Sequence, residues 1–126
     1  MPPFDAREQS RLLLDWNRRH LVAGAPLNQS DIAKCFASEF TVRANGRSHP
    51  ANYATYLEFL NGFRATIRAI DYDVRETVAD GSRVVLAMSA HITRVHGGHE
   101  RFEAMLLLDF DVQGHVSLWH EVYVAT

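Results

Sequence analysis

The spacing of hydrophobic residues divides the chain into a helical first half and a strand-rich second half. Residues 6–23 repeat apolar side chains every three to four positions, which is typical of one helix face. Asp5 is placed to cap the first turn of this helix, and Gly24 to end it. A short second helix is predicted to begin near residues 28–30. A third is predicted to begin near Pro50, since proline is favoured in a first helical turn.

A predicted strand separates the second helix from the third. Residues 39–45 alternate apolar and polar side chains, and Gly46 ends the alternation. The third helix carries an aromatic-rich stripe at helical spacing. The stripe consists of Tyr53, Tyr56, Leu57, Leu60, Phe63 and Ile67. We interpret most of it as the face of a helix lying on a sheet, with one or two of Tyr56, Phe59 and Phe63 lining a cavity.

Strand signals separated by turn glycines fill the chain from Arg68 onward. Residues 69–78, 82–96 and 99–112 each read as a strand, and a last strand follows Gly114. A glycine lies at each junction, so successive hairpins are predicted to form an antiparallel meander. Because the helices come first and the strands later, the pattern favours an α+β fold over alternating α/β units.

Composition narrows the class of protein. The 126 residues suit a single domain spanning 1–126, and the net charge of −2 comes without a basic stripe, which disfavours nucleic acid as a partner. The apolar runs are too short to cross a membrane. Cys35 is the single cysteine, so no internal disulfide forms, and Met1–Asp5 lack the positive start of a signal peptide. We therefore expect a cytoplasmic protein.

The last strand has two unlike faces. Apolar residues dominate one face, whereas the other carries Ser117, Trp119, Glu121 and Tyr123. Aromatic side chains favour burial, so the carboxylate between them would lie against apolar surface. Such a carboxylate is costly unless it has a partner or a function. Glu121 is therefore the leading candidate for a functional group.

The order of elements resembles the NTF2-like cone fold, and the last strand resembles its SnoaL-like branch. This resemblance implies three N-terminal helices packed on a strongly curved antiparallel or mixed sheet that encloses a pocket. Residues 114–123 are also similar to the last strand of limonene-epoxide hydrolases, which carries a catalytic aspartate. In that alignment Trp119 matches a tryptophan, Glu121 falls on the aspartate, and Tyr123 falls on a phenylalanine.

The resemblance departs from the hydrolases on a neighbouring strand. Ser89 and His91 stand where those enzymes carry an arginine and an aspartate, so their full catalytic set is not present. Polyketide cyclases of the SnoaL type instead use a histidine with an acidic residue. We therefore predict His91 and Glu121 as an acid–base pair. The residues predicted to contact substrate are Ser89, Trp119, Tyr123, Tyr56, Phe63 and Leu106.

Structural roles remain open for the same residues. Glu121 could form an ordinary cross-strand ion pair with Arg101 or Arg94, and His91 could be a hydrogen-bonded core histidine. His96 and His99 flank a glycine pair and are interpreted as a solvated hairpin tip, not a metal site. No nucleotide-binding glycine motif is present, so no cofactor is expected. No metal is expected either, because beyond Glu100 and Glu103 no further Cys or acidic residue lies at a suitable spacing.

Two classes of function follow. The first is a cofactor-independent isomerase, cyclase or hydrolase acting on a small apolar or aromatic molecule. The second is a non-catalytic ligand-binding or dimerisation module of the same fold. Residues 84–92 place apolar side chains opposite the predicted pocket positions, where Leu118, Val122 and Val124 would join them. This second apolar face predicts a homodimer formed through the sheets.

Overall fold

The computed structural model describes residues 3–126, and within them an α+β fold is confirmed. Met1 and Pro2 lie outside the described residues. They begin the segment Met1–Asp5, which is predicted not to be a signal peptide. No helix within residues 3–126 is long and apolar enough to span a membrane. The helices are α1 (Ala6–His20), α2 (Gln29–Ala33) and α3 (Tyr53–Arg64). The strands are β1 (Phe36–Ala44), β2 (Arg47–Asn52), β3 (Ile67–Asp80), β4 (Arg83–Arg94), β5 (His99–Phe110) and β6 (Val116–Ala125).

The strands form one mixed sheet in the order β2-β1-β6-β5-β4-β3. The predicted antiparallel meander from β3 to β6 is confirmed. The exception to antiparallel pairing is β1 against β6, which run parallel and place Val42 beside Trp119 and Ala44 beside Glu121. This parallel pair brings the end of the chain against its first strand. It therefore places β6 inside the sheet, where both of its edges are hydrogen-bonded.

The prediction that a helix begins near Pro50 is wrong. Pro50 lies in β2, an edge strand, where a residue without an N–H group is tolerated. Helix α3 begins at Tyr53 instead, because the Asn52 side chain accepts a hydrogen bond from the Thr55 N–H and the Thr55 hydroxyl accepts one from the Asn52 N–H. This reciprocal capping pair is the sequence signal for the start of α3, whereas the proline indicated an earlier start.

Helix α1 ends three residues before the predicted boundary. It stops at His20, and the chain turns through Leu21 toward Ala25. One nitrogen of the Arg64 guanidinium donates to the backbone oxygens of His20, Val22 and Ala25, at 3.1, 3.0 and 2.5 Å. These contacts satisfy carbonyl groups that the helix end leaves free, and they join the end of α3 to the end of α1.

The core lies between the helices and the concave inner face of the sheet. Strand β4 supplies Val84, Leu86 and Met88 to it, and β5 supplies Leu106 and Leu108, all of them buried. Cross-strand register confirms that these residues share one face, because Leu86 pairs with Leu106. The prediction that residues 84–92 form the outer face is therefore wrong. The alternation along β4 is present, but its apolar residues face the helices and not the outside.

The outer face carries a buried serine that is surrounded by charged side chains. Ser89 is fully buried, and its hydroxyl donates to Glu103 at 2.8 Å while accepting from Arg75 at 2.6 Å. Arg75 also pairs with Glu103, and Arg101 contacts both Ser89 and Glu103. A bulge in β3 next to Arg75 accompanies this arrangement. The serine hydrogen bond is the largest cause that lowers the pKa of the Glu103 carboxyl.

Large apolar side chains of this outer face are exposed. They are Val78, Met105, Val122 and Val124. Exposed apolar surface of this kind is typical of an interface between protein chains. The homodimer therefore stays a prediction, with β3 to β6 of each chain facing their counterparts across a twofold axis.

Sedimentation of the wild-type chain at micromolar concentration is expected to give the mass of two chains. Met105→Lys places a charge on the outer face and is expected to shift the protein toward the monomer. Val112→Lys is the matched control, because Val112 is exposed in the turn beyond β5. A wild-type monomer, or two variants that sediment alike, would contradict the interface.

Candidate functional site

An apolar cavity of about 380 Å³ lies between the helices and the inner face of the sheet. Helices α1 and α3 cover the cavity on one side, and residues from β1, β3, β4, β5 and β6 form its walls. The lining residues are Asn17, Leu21, Val42, Ala44, Tyr56, Phe59, Leu60, Phe63, Ile70, Tyr72, Ala90, Ile92, Arg94, Phe102, Trp119, Glu121 and Tyr123. A volume of this size suits a small organic ligand.

Glu121 lies in the wall of this cavity. Its register partners are Leu106 on β5 and Ala44 on β1, so apolar side chains flank it on both sides. Burial raises the pKa of the Glu121 carboxyl, and the Trp119 side chain offsets that effect in part. No cationic side chain contributes to the shift. The carboxyl therefore sits in apolar surroundings without the counter-charge that a structural ion pair would supply.

Glu121 does not pair with Arg94 or Arg101, the two arginines predicted as its possible partners. Arg94 binds Glu100 through two of its nitrogens, at 2.6 and 2.9 Å, and Thr66 through a third at 3.0 Å. Arg101 lies on the outer face and contacts Glu103 and Ser89. Both arginines thus have partners, and neither neutralises the carboxyl in the cavity.

Two tyrosines lie close to Glu121. The negative charge of Glu121 contributes to raising the pKa of Tyr56 and of Tyr72, and burial is the larger cause for both. The Tyr72 hydroxyl accepts a hydrogen bond of 3.1 Å from the side-chain amide of Asn17. Glu121, Tyr56, Tyr72 and Asn17 thus all contribute polar groups to a cavity whose lining is mostly apolar.

Arg18 contacts Tyr72 and stabilises its position. The Arg18 guanidinium lies 5.4 Å from the centre of the Tyr72 ring and donates to the Tyr72 backbone oxygen at 3.2 Å. Ion pairs to Asp15 and Asp71, at 2.8 and 2.7 Å, fix the guanidinium in turn. The ring is therefore placed by contacts that lie outside the cavity.

Exposed aromatic residues form the mouth of the cavity. Phe59 is 57% exposed, Phe63 is 38% exposed and Tyr123 is 40% exposed, although all three also line the cavity. The Phe59 ring stacks on Tyr56 and on Phe63, with ring centres 5.9 and 6.1 Å apart. The stacked rings run from the exposed Phe63 through Phe59 to the buried Tyr56 ring.

The structure separates His91 from Glu121, so the predicted pair does not form. His91 and Ser89 alternate with Ala90 and Ile92, which line the cavity, and they therefore point to the outer face. His91 is exposed there, opposite Arg101 in the register. Acid–base chemistry shared between His91 and Glu121 is therefore excluded by their placement.

The remaining candidates are distributed differently. Trp119, Tyr123, Tyr56 and Phe63 line the same cavity as Glu121. Leu106 lies on the inner face of the sheet, but it is fully buried and does not line the cavity. Their roles toward a ligand stay predictions.

Sequence reasoning missed Asn17 and Tyr72. Asn17 lies between Leu13 and Leu21 at a spacing of four residues, so it is a polar residue on the buried face of α1. That position is a usable signal, since an unpartnered amide in such a place is costly. Tyr72 gave no comparable signal, because a tyrosine in an apolar row that alternates with Asp71 and Asp73 fits any half-buried strand.

Metal-ligand geometry is not found within residues 3–126, where no three His, Cys, Asp or Glu side chains cluster. His96 accepts from the Gly98 N–H at 3.3 Å, whereas His99 contacts Thr93 at 3.2 Å, so the two histidines have separate partners. Cys35 is partly buried, and burial raises the pKa of its thiol to about 11.

The sequence matches the family model described as the SnoaL-like domain over residues 16–119. The chain belongs to this family, as the curved mixed sheet and the cavity beneath its helices had indicated. Among curated proteins, no sequence matches the chain.

Solved structures share the NTF2-like fold. A candidate SnoaL-like polyketide cyclase from Shewanella denitrificans superposes with a TM-score of 0.79 at 9% identity, covering 94% of this chain and 90% of the other. An epoxide hydrolase of the limonene-epoxide type from Mycobacterium tuberculosis gives 0.73 at 11% identity, covering 94% and 82%. An NTF2-like protein of unknown function from Burkholderia pseudomallei gives 0.69 at 14%, covering 92% and 88%. At these identities the likeness shows the fold alone.

Replacing Glu121 by glutamine is expected to stabilise the protein at neutral pH. The raised pKa means that the folded state holds this proton more tightly than the unfolded state does. The contribution of Glu121 to stability is therefore greatest below the unfolded pKa and falls as the pH rises through the folded pKa. Urea denaturation at acidic and neutral pH should show the advantage of Glu121→Gln growing with pH.

Glu58→Gln is the matched control, because Glu58 is exposed on α3. It removes the same charge outside the cavity and separates a general effect of lost charge from the effect of the cavity carboxyl. A Glu121→Gln protein that is less stable than wild type at neutral pH would contradict the account of an unpaired, desolvated carboxyl.

Proposed function

We propose that this protein binds a small apolar or aromatic carbonyl compound in the cavity and transfers a proton on it with Glu121, without a cofactor. The observation that carries the proposal is the Glu121 carboxyl, which is largely desolvated in the wall of an apolar cavity and has no cationic partner among residues 3–126. Groups with pKa values displaced in this way are concentrated at functional sites. The reaction class is that of an isomerase, cyclase or hydrolase of the SnoaL-like kind.

The cavity wall supports a ligand that is mostly apolar. Aliphatic and aromatic side chains make up most of the lining, with a few polar groups among them. Pockets of this composition bind apolar molecules and orient them through those few polar contacts. The exposed rings of Phe59 and Phe63 at the mouth add flat apolar surface on which an aromatic ligand can lie.

The chemistry needs one carboxyl that can accept a proton and return it. As a carboxylate, Glu121 takes a proton from the carbon next to the ligand carbonyl. The electrons of that C–H bond form a carbon–carbon double bond, and the negative charge moves to the carbonyl oxygen. As a carboxylic acid, Glu121 returns the proton to carbon. A raised pKa makes the carboxylate a stronger base, and a positioned base contributes about 10²–10⁴-fold to a rate.

The structural neighbours named above are consistent with this class. One is named as an epoxide hydrolase and another as a candidate polyketide cyclase, so the scaffold holds more than one chemistry. For this chain, the proposed reaction therefore rests on the Glu121 carboxyl and not on the fold.

A non-catalytic ligand-binding module is the second candidate. It is favoured by the position of His91 on the outer face, which leaves Glu121 without a titratable histidine partner. In this case the cavity would bind the same apolar ligand, and the carboxyl would contribute only to its orientation.

Exchange of ligand protons for deuterium separates the two candidates. In D₂O, wild-type protein is expected to accelerate deuterium uptake next to the carbonyl of β-tetralone, measured by proton NMR. Glu121→Gln should remove the acceleration, whereas Glu58→Gln should retain it. The accelerated rate should rise with pH through the raised pKa of Glu121 and then level off, because the carboxylate form is the base.

Equal exchange rates for wild type and Glu121→Gln would exclude the catalytic proposal. If both proteins also bind β-tetralone equally well, the ligand-binding module is the better description.

A further inference from the structure

We infer that Arg94 binds a second, uncharged oxygen of the ligand through two N–H groups that its guanidinium leaves unbonded. The ligand class is then a ketone with a further acceptor oxygen, remote from the carbonyl on which Glu121 acts. The inference names another part of the substrate and rests on the proposed function for the reaction, but not for binding. Arg94 lines the cavity as the last residue of β4.

The guanidinium of Arg94 has more donors than the surrounding residues use. An arginine carries five N–H groups. The Nε atom and one terminal nitrogen donate to the two Glu100 oxygens at 2.6 and 2.9 Å, and the other terminal nitrogen donates to the Thr66 hydroxyl at 3.0 Å. One N–H on each terminal nitrogen therefore has no acceptor among residues 3–126. The two terminal nitrogens lie side by side on a planar group, so both can donate to one oxygen.

The position of Arg94 is fixed by the turns around it. Its backbone N–H donates to the Gly98 oxygen at 2.7 Å within the β4–β5 hairpin, and the N–H of Val95 donates to the Thr66 oxygen at 2.9 Å. Because Thr66 follows the end of α3, these bonds join Arg94 both to the hairpin and to a helix that covers the cavity. The Arg94 side chain is only 21% exposed. A donor held in this way loses little conformational freedom when a ligand binds.

Arg94 and Glu121 lie at different levels of the sheet. Glu121 pairs with Leu106, and Leu106 pairs with Leu86 on β4. Arg94 is eight residues further along β4 than Leu86, and an even spacing keeps both on the inner face. Because Glu121 and Arg94 both line the cavity, the cavity extends along β4 between these two levels. A ligand that contacts both groups is therefore elongated, with its two oxygens at opposite ends.

The charges around Arg94 favour an uncharged oxygen over a carboxylate. Glu100 balances the Arg94 charge, and the hydrogen bond from Arg94 holds the pKa of the Glu100 carboxyl below its usual range. The carboxylate form of Glu121 adds a negative charge to the same cavity. A ligand carboxylate would thus meet two negative charges and a positive charge that is already paired. A ketone oxygen accepts the same hydrogen bonds without that repulsion.

The test uses three naphthalenes of matched shape, each with an acetyl group at position 2. Position 6 carries a second acetyl group, an isopropyl group without oxygen, or a carboxylate. By equilibrium dialysis, wild type should bind the diacetyl compound more tightly than the carboxylate. In Arg94→Met, the ratio of the isopropyl Kd to the diacetyl Kd should fall by roughly two- to tenfold, which is the worth of one hydrogen bond. Binding of the isopropyl compound should change little, because methionine keeps an apolar stem at this position.

Arg83→Met is the matched control. Arg83 begins β4 and pairs with Asp109 at 3.2 Å across the same two strands, but it does not line the cavity. The Kd ratio should keep its wild-type value in this variant. Glu100→Gln should raise the affinity for the carboxylate relative to the diacetyl compound, because Arg94 loses its counter-charge. A purely structural role for Arg94 would not change the preference between ligands of one shape.

The inference and the proposed function fail in different ways. In Glu121→Gln the preference for the diacetyl over the isopropyl compound should persist, because Arg94 donates without the help of that carboxyl. An unchanged Kd ratio in Arg94→Met would overturn the inference, whatever the result of deuterium exchange. Tighter binding of the carboxylate to wild type, or no binding of the diacetyl compound, would overturn it as well. A ratio that depends on Arg94, with equal exchange by wild type and Glu121→Gln, would keep this binding site and exclude the proposed reaction.

Discussion

The register between β5 and β6 is the constraint on which the site depends. Leu106 pairs with Glu121 in that register, and Leu106 also pairs with Leu86 of β4, so all three side chains point to the inner face. Side chains alternate along a strand, so a slip of one residue would turn Trp119, Glu121 and Tyr123 outward together. The parallel pairing of β1 with β6 reinforces this register from the other side.

The sequence pattern was sufficient for the class of fold and for the two faces of β6. Alternation along the last strand is a local property, and it correctly grouped Trp119, Glu121 and Tyr123. It could not determine which residues of β4 join them. That depends on the turn between β5 and β6, where a bulge at Asp109 and Phe110 changes the register. Turn geometry of this kind is not encoded in a hydrophobic pattern, and His91 was therefore assigned to the wrong face.

Short edge elements were equally hard to predict. The six residues of β2 contain a proline and few apolar side chains, so they do not resemble a strand until β1 is present to pair with them. The polar contacts of the cavity arise from distant segments. Asn17 meets Tyr72 across 55 positions of the chain, and Arg18 supports the same tyrosine from the next position of α1. Such contacts follow from packing and not from spacing.

The cavity contains a group that destabilises the folded protein. Burial desolvates the Glu121 carboxyl, and no cationic side chain of residues 3–126 pairs with it. The charged groups that could have neutralised the carboxyl are instead engaged with each other, as Arg94 is with Glu100. Proteins retain unfavourable groups of this type chiefly where function requires them.

Titration of the Glu121 side chain tests this account most directly. The carboxyl carbon can be followed by ¹³C NMR in protein labelled at glutamate, and its signal assigned by its loss in Glu121→Gln. The account predicts a pKa above the ordinary range for glutamate, because burial without a counter-charge favours the protonated form. A pKa within or below that range would show that the carboxyl is solvated or paired, and would contradict the central claim.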